Sequence, residues 1–258
     1  YFPQKTTRAN KMIDDSLILK VHGFDAGSFL LRQFRGNTDV LMQGQWVHTA
    51  CCDGEERVLA YLWAFPWNDG ILLRLPRSVA PAFLAHITPQ IGHSEVRIDA
   101  TTLCFGALAG NNPERRAVLY YGDGATCYIG GIPNVIPFIS EQPLPNALPA
   151  EMWQAARIRA GIPEIYADTA GCFRPFVLGI GMAGMHPDKN DVHHRLATAS
   201  IEKFRTGRRA LHHKHTPAGT ILDYGYDAQG CIIQAVVEER FLGKALTVCD
   251  SRQPLIFR

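Results

Sequence analysis

The sequence predicts an α+β protein made of two weakly repeated antiparallel α+β halves and a small C-terminal β-barrel. Three observations support this fold class. Strand-like runs in the first half are joined by turn signals such as Asp53-Gly54, which are typical of antiparallel hairpins. Amphipathic helical segments alternate with these strands. From about Arg208 onward the pattern is β only, which predicts a small barrel or sandwich.

The first half begins with a predicted strand at Ser16 to Lys20 and a helix at Ala26 to Phe34, in which Phe29, Leu30 and Phe34 share one face. A meander of strands follows, and then a helix that carries proline in its first turn. The predicted segments are the strands Gln45 to Cys52, Val58 to Phe65 and Ile71 to Leu73, and the helix after Ser78.

The pattern recurs in part in the second half, which is why we expect a weak repeat. Its predicted strands are Glu95 to Ile98, Leu103 to Ala107, Ala117 to Tyr121 and Cys127 to Ile129, and its helix is Met152 to Arg159. The predicted barrel strands include Thr220 to Tyr224, Cys231 to Val237 and Ala245 to Val248. We therefore divide the chain into a two-part α+β core, residues 1–200, and a barrel, residues 201–258.

The composition is that of a folded globular protein. Of 258 residues, 47% are hydrophobic and 19% charged, which allows a substantial core. The formal net charge of +2 gives no strong general attraction to nucleic acid or membranes, so we expect neither as a partner. The seven cysteines show no Cys-x-x-Cys spacing, which indicates reduced thiols. Because no apolar run has the length of a signal peptide or a membrane span, we expect a cytoplasmic protein.

Several motifs occur in the order and spacing of a known family. The N-terminal ones are Gly23-Phe24-Asp25-Ala26, Phe29-Leu30, Gln33-Phe34 and Asn37-Thr38-Asp39-Val40. Later ones are Cys52-Asp53-Gly54 with Glu56-Arg57, the run Trp153 to Pro163, and Lys203-Phe204-Arg205 with Gly207 and Arg209. Together they resemble the folate-binding YgfZ and aminomethyltransferase-like family over roughly residues 16–258. The resemblance implies two ferredoxin-like halves, a C-terminal barrel and a central folate cavity.

The resemblance also implies a cofactor and partners. The expected ligand is tetrahydrofolate or a one-carbon derivative, and the expected partners are iron-sulfur or one-carbon enzymes. A folate needs planar hydrogen-bond partners for its pterin, apolar walls, and cations for its glutamate tail. The candidate binding residues are Gln33, Asn37, Asp39, Asp53, Arg157, Lys203 and Arg205. A structural role remains open for two of them: Asp39 as a turn cap and Arg157 as a surface ion pair.

One motif departs from the family pattern. Members linked to iron-sulfur cluster maintenance carry Lys-Gly-Cys-Tyr-x-Gly-Gln-Glu before the barrel, where this chain reads Lys189-Asn190-Asp191-Val192-His193-His194. The resemblance implies that a true aminomethyltransferase has an aspartate near the folate nitrogen and a docking surface for a carrier protein. This sequence shows no independent sign of either, so we favour a tetrahydrofolate-binding accessory protein over an enzyme. The first alternative is an aminomethyltransferase-like enzyme that transfers a one-carbon unit. The second is an RNA- or protein-interaction module that uses the basic segment Lys203 to His215.

Two further patterns match binding motifs only in part, and we predict no binding site from either. Gly179 to Gly184 matches Gly-x-Gly-x-x-Gly, but Pro187 interrupts the helix that a dinucleotide site requires, so we expect a glycine-rich loop. The histidines of His193-His194 and His212 to His215 lack the cysteine or carboxylate that would complete a zinc site, and we predict no metal.

Overall fold

The computed structural model describes residues 15–121, 126–181, 193–204, 208–248 and 253–258. Every strand pairing within these ranges is antiparallel, and the strands form three sheets. None of the helices in these ranges is long and apolar enough to cross a membrane.

The first sheet has six strands and carries two helices on one face. Its elements in chain order are β1 (Ser16–His22), α1 (Ala26–Gln33), β2 (Phe34–Arg35), β3 (Val47–Cys52), β4 (Val58–Trp67), β5 (Gly70–Pro76), α2 (Ala80–Ile87) and β6 (Arg97–Ala100). The strand order is β2-β3-β4-β5-β1-β6. The turn into α1 lies close to the backbone of Glu95. A Cβ on Gly23 would meet the Glu95 carbonyl oxygen at 2.1 Å, and the φ angle of Gly23 is +115°. This position therefore requires glycine.

Both faces of the first sheet are buried, but against different partners. The helices cover one face, where Phe29, Leu30 and Phe83 pack on alternate strand residues such as Leu62 and Leu73. The opposite face carries larger and more polar side chains and looks into the middle of the molecule; we call it the central face. Two adjacent cysteines lie on opposite faces of the sheet. Cys51 belongs to the core between the sheet and its helices, and Cys52 belongs to the core on the central face. Burial raises the pKa of each thiol to about 12, in keeping with two reduced thiols on opposite faces.

The second sheet has four strands and leads into a helix. It consists of β7 (Cys104–Ala109), β8 (Leu119–Tyr121), β9 (Cys127–Ile129) and β10 (Val135–Ser140), in the order β7-β10-β9-β8, and is followed by α3 (Ala150–Arg159). Its apolar residues, among them Phe105 and Ile139, join the core on the central face. α3 packs mainly on the barrel, against the third sheet, and meets its own sheet through Trp153 and Phe105, whose ring centroids are 5.6 Å apart.

The third sheet is a nearly closed barrel. Its strands are β11 (His194–Ile201), β12 (Ala210–His213), β13 (Thr216–Asp227), β14 (Gly230–Glu238), β15 (Ala245–Val248) and β16 (Leu255–Ile256), in the order β11-β14-β13-β12-β15-β16. Reciprocal backbone hydrogen bonds of 3.1 and 3.0 Å between Thr198 and Arg258 join its two ends. The barrel sheet begins at His194.

Candidate functional site

The central face of the first sheet presents a row of chemically distinctive side chains. Cross-strand register places His48 of β3 opposite Trp63 of β4, Trp63 opposite Arg74 of β5, and Arg74 opposite Ile18 of β1. Because side chains alternate between the faces of a strand, these four point toward the same side. A histidine, an indole and a guanidinium therefore lie side by side in the middle of the protein.

An aromatic cluster surrounds this row. Trp46 and Trp63 stack with ring centroids 5.5 Å apart, and His48 meets Trp63 edge-on at 4.5 Å. Phe105 of β7 and Trp153 of α3 approach Trp63 at 5.5 and 6.0 Å. Since these residues come from both sheets and from α3, the cluster ties the two halves together around one apolar aromatic core.

Four buried charges form an ion network beside the aromatic cluster. Glu164 is 2% exposed and accepts two hydrogen bonds from Arg74 Nη1, of 2.8 and 2.7 Å. Arg157, 1% exposed, donates through Nη2 to Asp223 of β13 and through Nη1 to the Ile162 carbonyl oxygen at 2.6 Å, and its Nε lies 3.6 Å from Glu164. Two arginines and two carboxylates balance in charge, as buried ions must.

Tyr166 extends the network and shows its electrostatic character. Its hydroxyl donates to Asp223 at 2.8 Å. Burial and the negative charge of Asp223 raise the pKa of Tyr166 well above its ordinary value, so the phenol stays protonated and remains a donor. Burial disfavours the charged form of Arg157, but attraction by Glu164 and Asp223 outweighs it and raises its pKa. Tyr166 and Arg157 therefore both keep their protons in this network.

Buried polar atoms without a partner lie around this network. Within the described residues, His48 Nδ1, Trp63 Nε1 and Arg35 Nε make no hydrogen bond, and neither amide atom of Gln234 does. Gln234 is fully buried on β14, opposite Asp223. A buried donor or acceptor without a partner costs about 1 to 3 kcal/mol, so these atoms are available to hydrogen-bond a ligand or a water.

His48 is held in its neutral form at this site. Burial, together with the positive charges of Arg74 and Arg157, lowers its pKa to about 3. The Nδ1 atom of this neutral imidazole has no hydrogen-bond partner among the described residues and is available to one polar atom of a heteroaromatic ring.

The residues predicted from the sequence are spread over the surface and the centre. Gln33 is half-buried at the end of α1, and Asn37 and Asp39 are exposed around the short 3-10 helix Thr38–Gln43. Lys203 is exposed. Within the described residues, no hydrogen bond or ion pair joins any two of the predicted residues. Arg205 and the segment 182–192, with half of the glycine-rich motif and the first four residues of the departing Lys189 motif, lie outside the described residues.

Two predicted residues have defined structural contacts. Asp53 Oδ1 accepts hydrogen bonds of 2.9 Å from the backbone N–H groups of Glu55 and Arg57, and so shapes the β3–β4 turn. Arg157 is buried in the ion network. The structural role that the sequence left open for this residue was an ion pair at the surface. No group of three His, Cys, Asp or Glu side chains within the described ranges is arranged to hold a metal ion.

The sequence interpretation missed the central residues His48, Arg74, Glu164 and Gln234. One of them had a usable signal. Arg74 interrupts the apolar run Ile71 to Leu75, and a single charge within a buried strand indicates a buried ion pair. Glu164 and Gln234 carried no comparable signal, because their burial arises from the packing of the barrel and α3 against the first sheet.

The three-sheet arrangement is that of the aminomethyltransferase-like fold. The structure matches the crystal structure of glycine cleavage system aminomethyltransferase T from Bartonella henselae with a TM-score of 0.67. The sequences are 13% identical, and the match covers 95% of this chain and 82% of that one. At this identity the likeness shows the fold alone. No protein-family model and no curated protein matches the chain.

Proposed function

We propose that the protein binds tetrahydrofolate or a one-carbon derivative at the central face of the first sheet, as an accessory protein of YgfZ type. The proposal rests on the sequence motifs, on the aminomethyltransferase-like fold and on the side chains at the centre. The observation that carries it is the pair of buried, unpartnered ring nitrogens, His48 Nδ1 and Trp63 Nε1, beside the stacked Trp46.

The residues at the centre fit a folate chemically. A pterin is flat and has donors and acceptors on its edges, which suit an indole N–H, a neutral imidazole and an aromatic wall. Arg35 places a buried, unpartnered Nε on the same sheet and suits a carboxylate or a carbonyl oxygen. When bound, a folate would supply the one-carbon chemistry, while these residues bind and orient it.

Calorimetric titration with tetrahydrofolate and its 5-formyl analogue tests the proposal. We expect His48→Phe and Trp63→Phe to weaken binding by at least about tenfold, or about 1.4 kcal/mol. Tyr121→Phe, at an exposed position on β8, is the control and should bind as the unaltered protein does. Circular dichroism establishes that each variant is folded. Absence of binding at millimolar ligand, or equal binding by all three folded variants, would overturn the proposal.

An aminomethyltransferase-like enzyme is the second candidate, and the solved structure of that fold favours it. It would transfer a one-carbon unit to or from the bound folate. Turnover that depends on both tetrahydrofolate and a carrier protein distinguishes it from the accessory role, for which we expect binding without turnover. A link to iron-sulfur enzymes belongs to the accessory role and is tested by the activity of such enzymes in cells that lack this protein.

A further inference from the structure

A cleft of about 200 Å³ opens where the first and second sheets meet. Its walls come from the start of β1, the segment 101–105 that connects the two sheets, and the second sheet. Phe105 forms part of the floor and also contacts Trp63 and Trp153 of the central cluster. The cleft is therefore separated by one aromatic layer from the centre where we place the folate.

The floor of the cleft is apolar. Phe105 is 5% exposed, Phe138 is 0% exposed, and Ile18 is buried to the same extent. Leu17 and Leu103 complete the lining. An apolar cavity of about 150 Å³ admits a benzene ring, so a cleft of this size accommodates one or two fused rings.

The rim of the cleft is polar and includes one cation. Arg77 is half exposed, and its Nη2 donates to the Ser16 carbonyl oxygen at 3.2 Å while its Nε lies 3.5 Å from the Asp15 carboxylate. Neither contact involves Nη1. Because the Asp15 contact is long and exposed, it neutralises little of the charge. Thr101 and Thr102 add hydroxyl groups to the same rim.

We propose that this cleft binds a small molecule with an apolar body of one or two rings and a carboxylate, the rings against Phe105 and Phe138 and the carboxylate on Arg77. Few polar groups around an apolar floor are the usual composition of a small-ligand site. The proposal does not rest on folate binding: of the cleft residues only Ile18 belongs to the row on the central face, and its side chain has no polar atom to offer a folate.

Cys104 provides a reporter within the cleft. It lines the cavity as a free, half-buried thiol, and Cys172 is a free, exposed thiol outside it. A ligand in the cleft covers Cys104 and leaves Cys172 accessible. The rates of iodoacetamide alkylation of the two thiols, followed by peptide mass spectrometry, therefore locate the ligand.

The probes are 2-naphthoate and its uncharged analogue 2-naphthamide, titrated into the whole protein. We expect 2-naphthoate to slow alkylation of Cys104 but not of Cys172, and Arg77→Gln to weaken its binding about fivefold or more through loss of the charge-assisted contact. Arg97→Gln, at an exposed position on β6, is the matched control and should bind normally. The amide should be insensitive to Arg77→Gln.

Two results would overturn the proposal: naphthoate binding that leaves the alkylation of Cys104 unchanged, or equal binding by the Arg77→Gln and Arg97→Gln proteins. The His48→Phe variant separates this proposal from the folate proposal. It should lose folate affinity and keep naphthoate affinity, so that either site can fail without the other.

Discussion

At the scale of single residues, the central charges show why burial and pairing must be considered together. Glu164 has an arginine on either side and is almost completely enclosed. Removing one member of a buried ion pair leaves the other charge without compensation, which is far more costly than losing an exposed pair. The same substitution should therefore have different effects at buried and exposed positions.

Glu164→Gln tests this expectation with a nearly isosteric change. We expect a loss of about 3 to 5 kcal/mol in the free energy of unfolding, measured with urea, because Arg74 and Arg157 would share a neutral amide in place of a carboxylate. Glu114→Gln is the matched control, since Glu114 pairs with Arg116 at the surface through contacts of 3.0 and 2.8 Å. Similar losses in the two variants would contradict the idea of a buried network.

The residue scale is also where prediction from sequence was weakest. The motif resemblance directed attention to Asn37 and Asp39, which are exposed, and to Asp53, whose carboxylate forms a turn. Whether these residues bind a ligand stays a prediction. Burial depends on which elements pack together, and a single strand sequence such as that around His48 does not reveal what covers it.

At the scale of elements, the contact between α3 and the barrel depends on a glycine. Gly225 lies in β13 directly against α3, where a Cβ would meet the Ala155 backbone nitrogen at 2.3 Å and its Cα at 2.8 Å. Both atoms belong to a helix backbone and cannot move aside as a flexible side chain does. The absence of a side chain here allows α3 to bring Arg157 to Asp223.

Gly225→Ala should push α3 away from the barrel. We expect the free energy of unfolding to fall by about 1 to 3 kcal/mol, the usual cost of overpacking, in a guanidinium titration followed by tryptophan fluorescence. Gly54→Ala is the control, because no atom outside its chain neighbours lies within 4 Å of the added carbon. A Gly225→Ala protein as stable as the control would show that α3 is free to shift.

Most elements could be predicted because their periodicity is local. The hairpin strands of the first half are apolar runs bounded by turn signals, the barrel segments are runs broken by glycine-containing turns, and the structure places strands there. β10 was not predicted because it contains Pro137. Proline lacks a backbone N–H group and is therefore unusual within a strand. β11 was not predicted because it directly follows a polar segment, which is typical of a loop.

At the scale of the whole molecule, three sheets enclose one neutral histidine, and this couples stability to pH. In the folded protein the pKa of His48 is about 3, against 6.5 for an ordinary histidine. Between these values the unfolded chain binds a proton that the folded chain does not. The contribution of neutral His48 to stability is therefore complete above pH 6.5 and is lost as the pH falls toward 3.

His48→Gln removes this titration and keeps a polar side chain. We expect the stability of the unaltered protein, relative to the variant, to decrease by about 1.4 kcal/mol per pH unit below pH 6.5, as measured by urea unfolding from pH 7.5 to pH 5. His86→Gln, on α2, controls for the general effect of losing a histidine. Parallel pH profiles for the His48→Gln and unaltered proteins would contradict the assignment of a neutral His48.

The overall architecture of α+β core and barrel was predictable, whereas the relation of its parts was not. The resemblance indicated repeated halves. In the structure two helices pack on the sheet of the first half, whereas α3 of the second half packs mainly on the barrel. That asymmetry results from long-range packing, which local sequence patterns do not encode.

The stacked indoles at the centre give the protein an intrinsic optical reporter. Of its four tryptophans, Trp46, Trp63 and Trp153 lie in one cluster whose neighbouring rings are 5.5 to 6.0 Å apart. Excitation energy passes readily between rings at such distances, so the three emit as a coupled group from a shielded, apolar environment. Three of the four tryptophans therefore report on the middle of the molecule through their ultraviolet emission, without any attached dye.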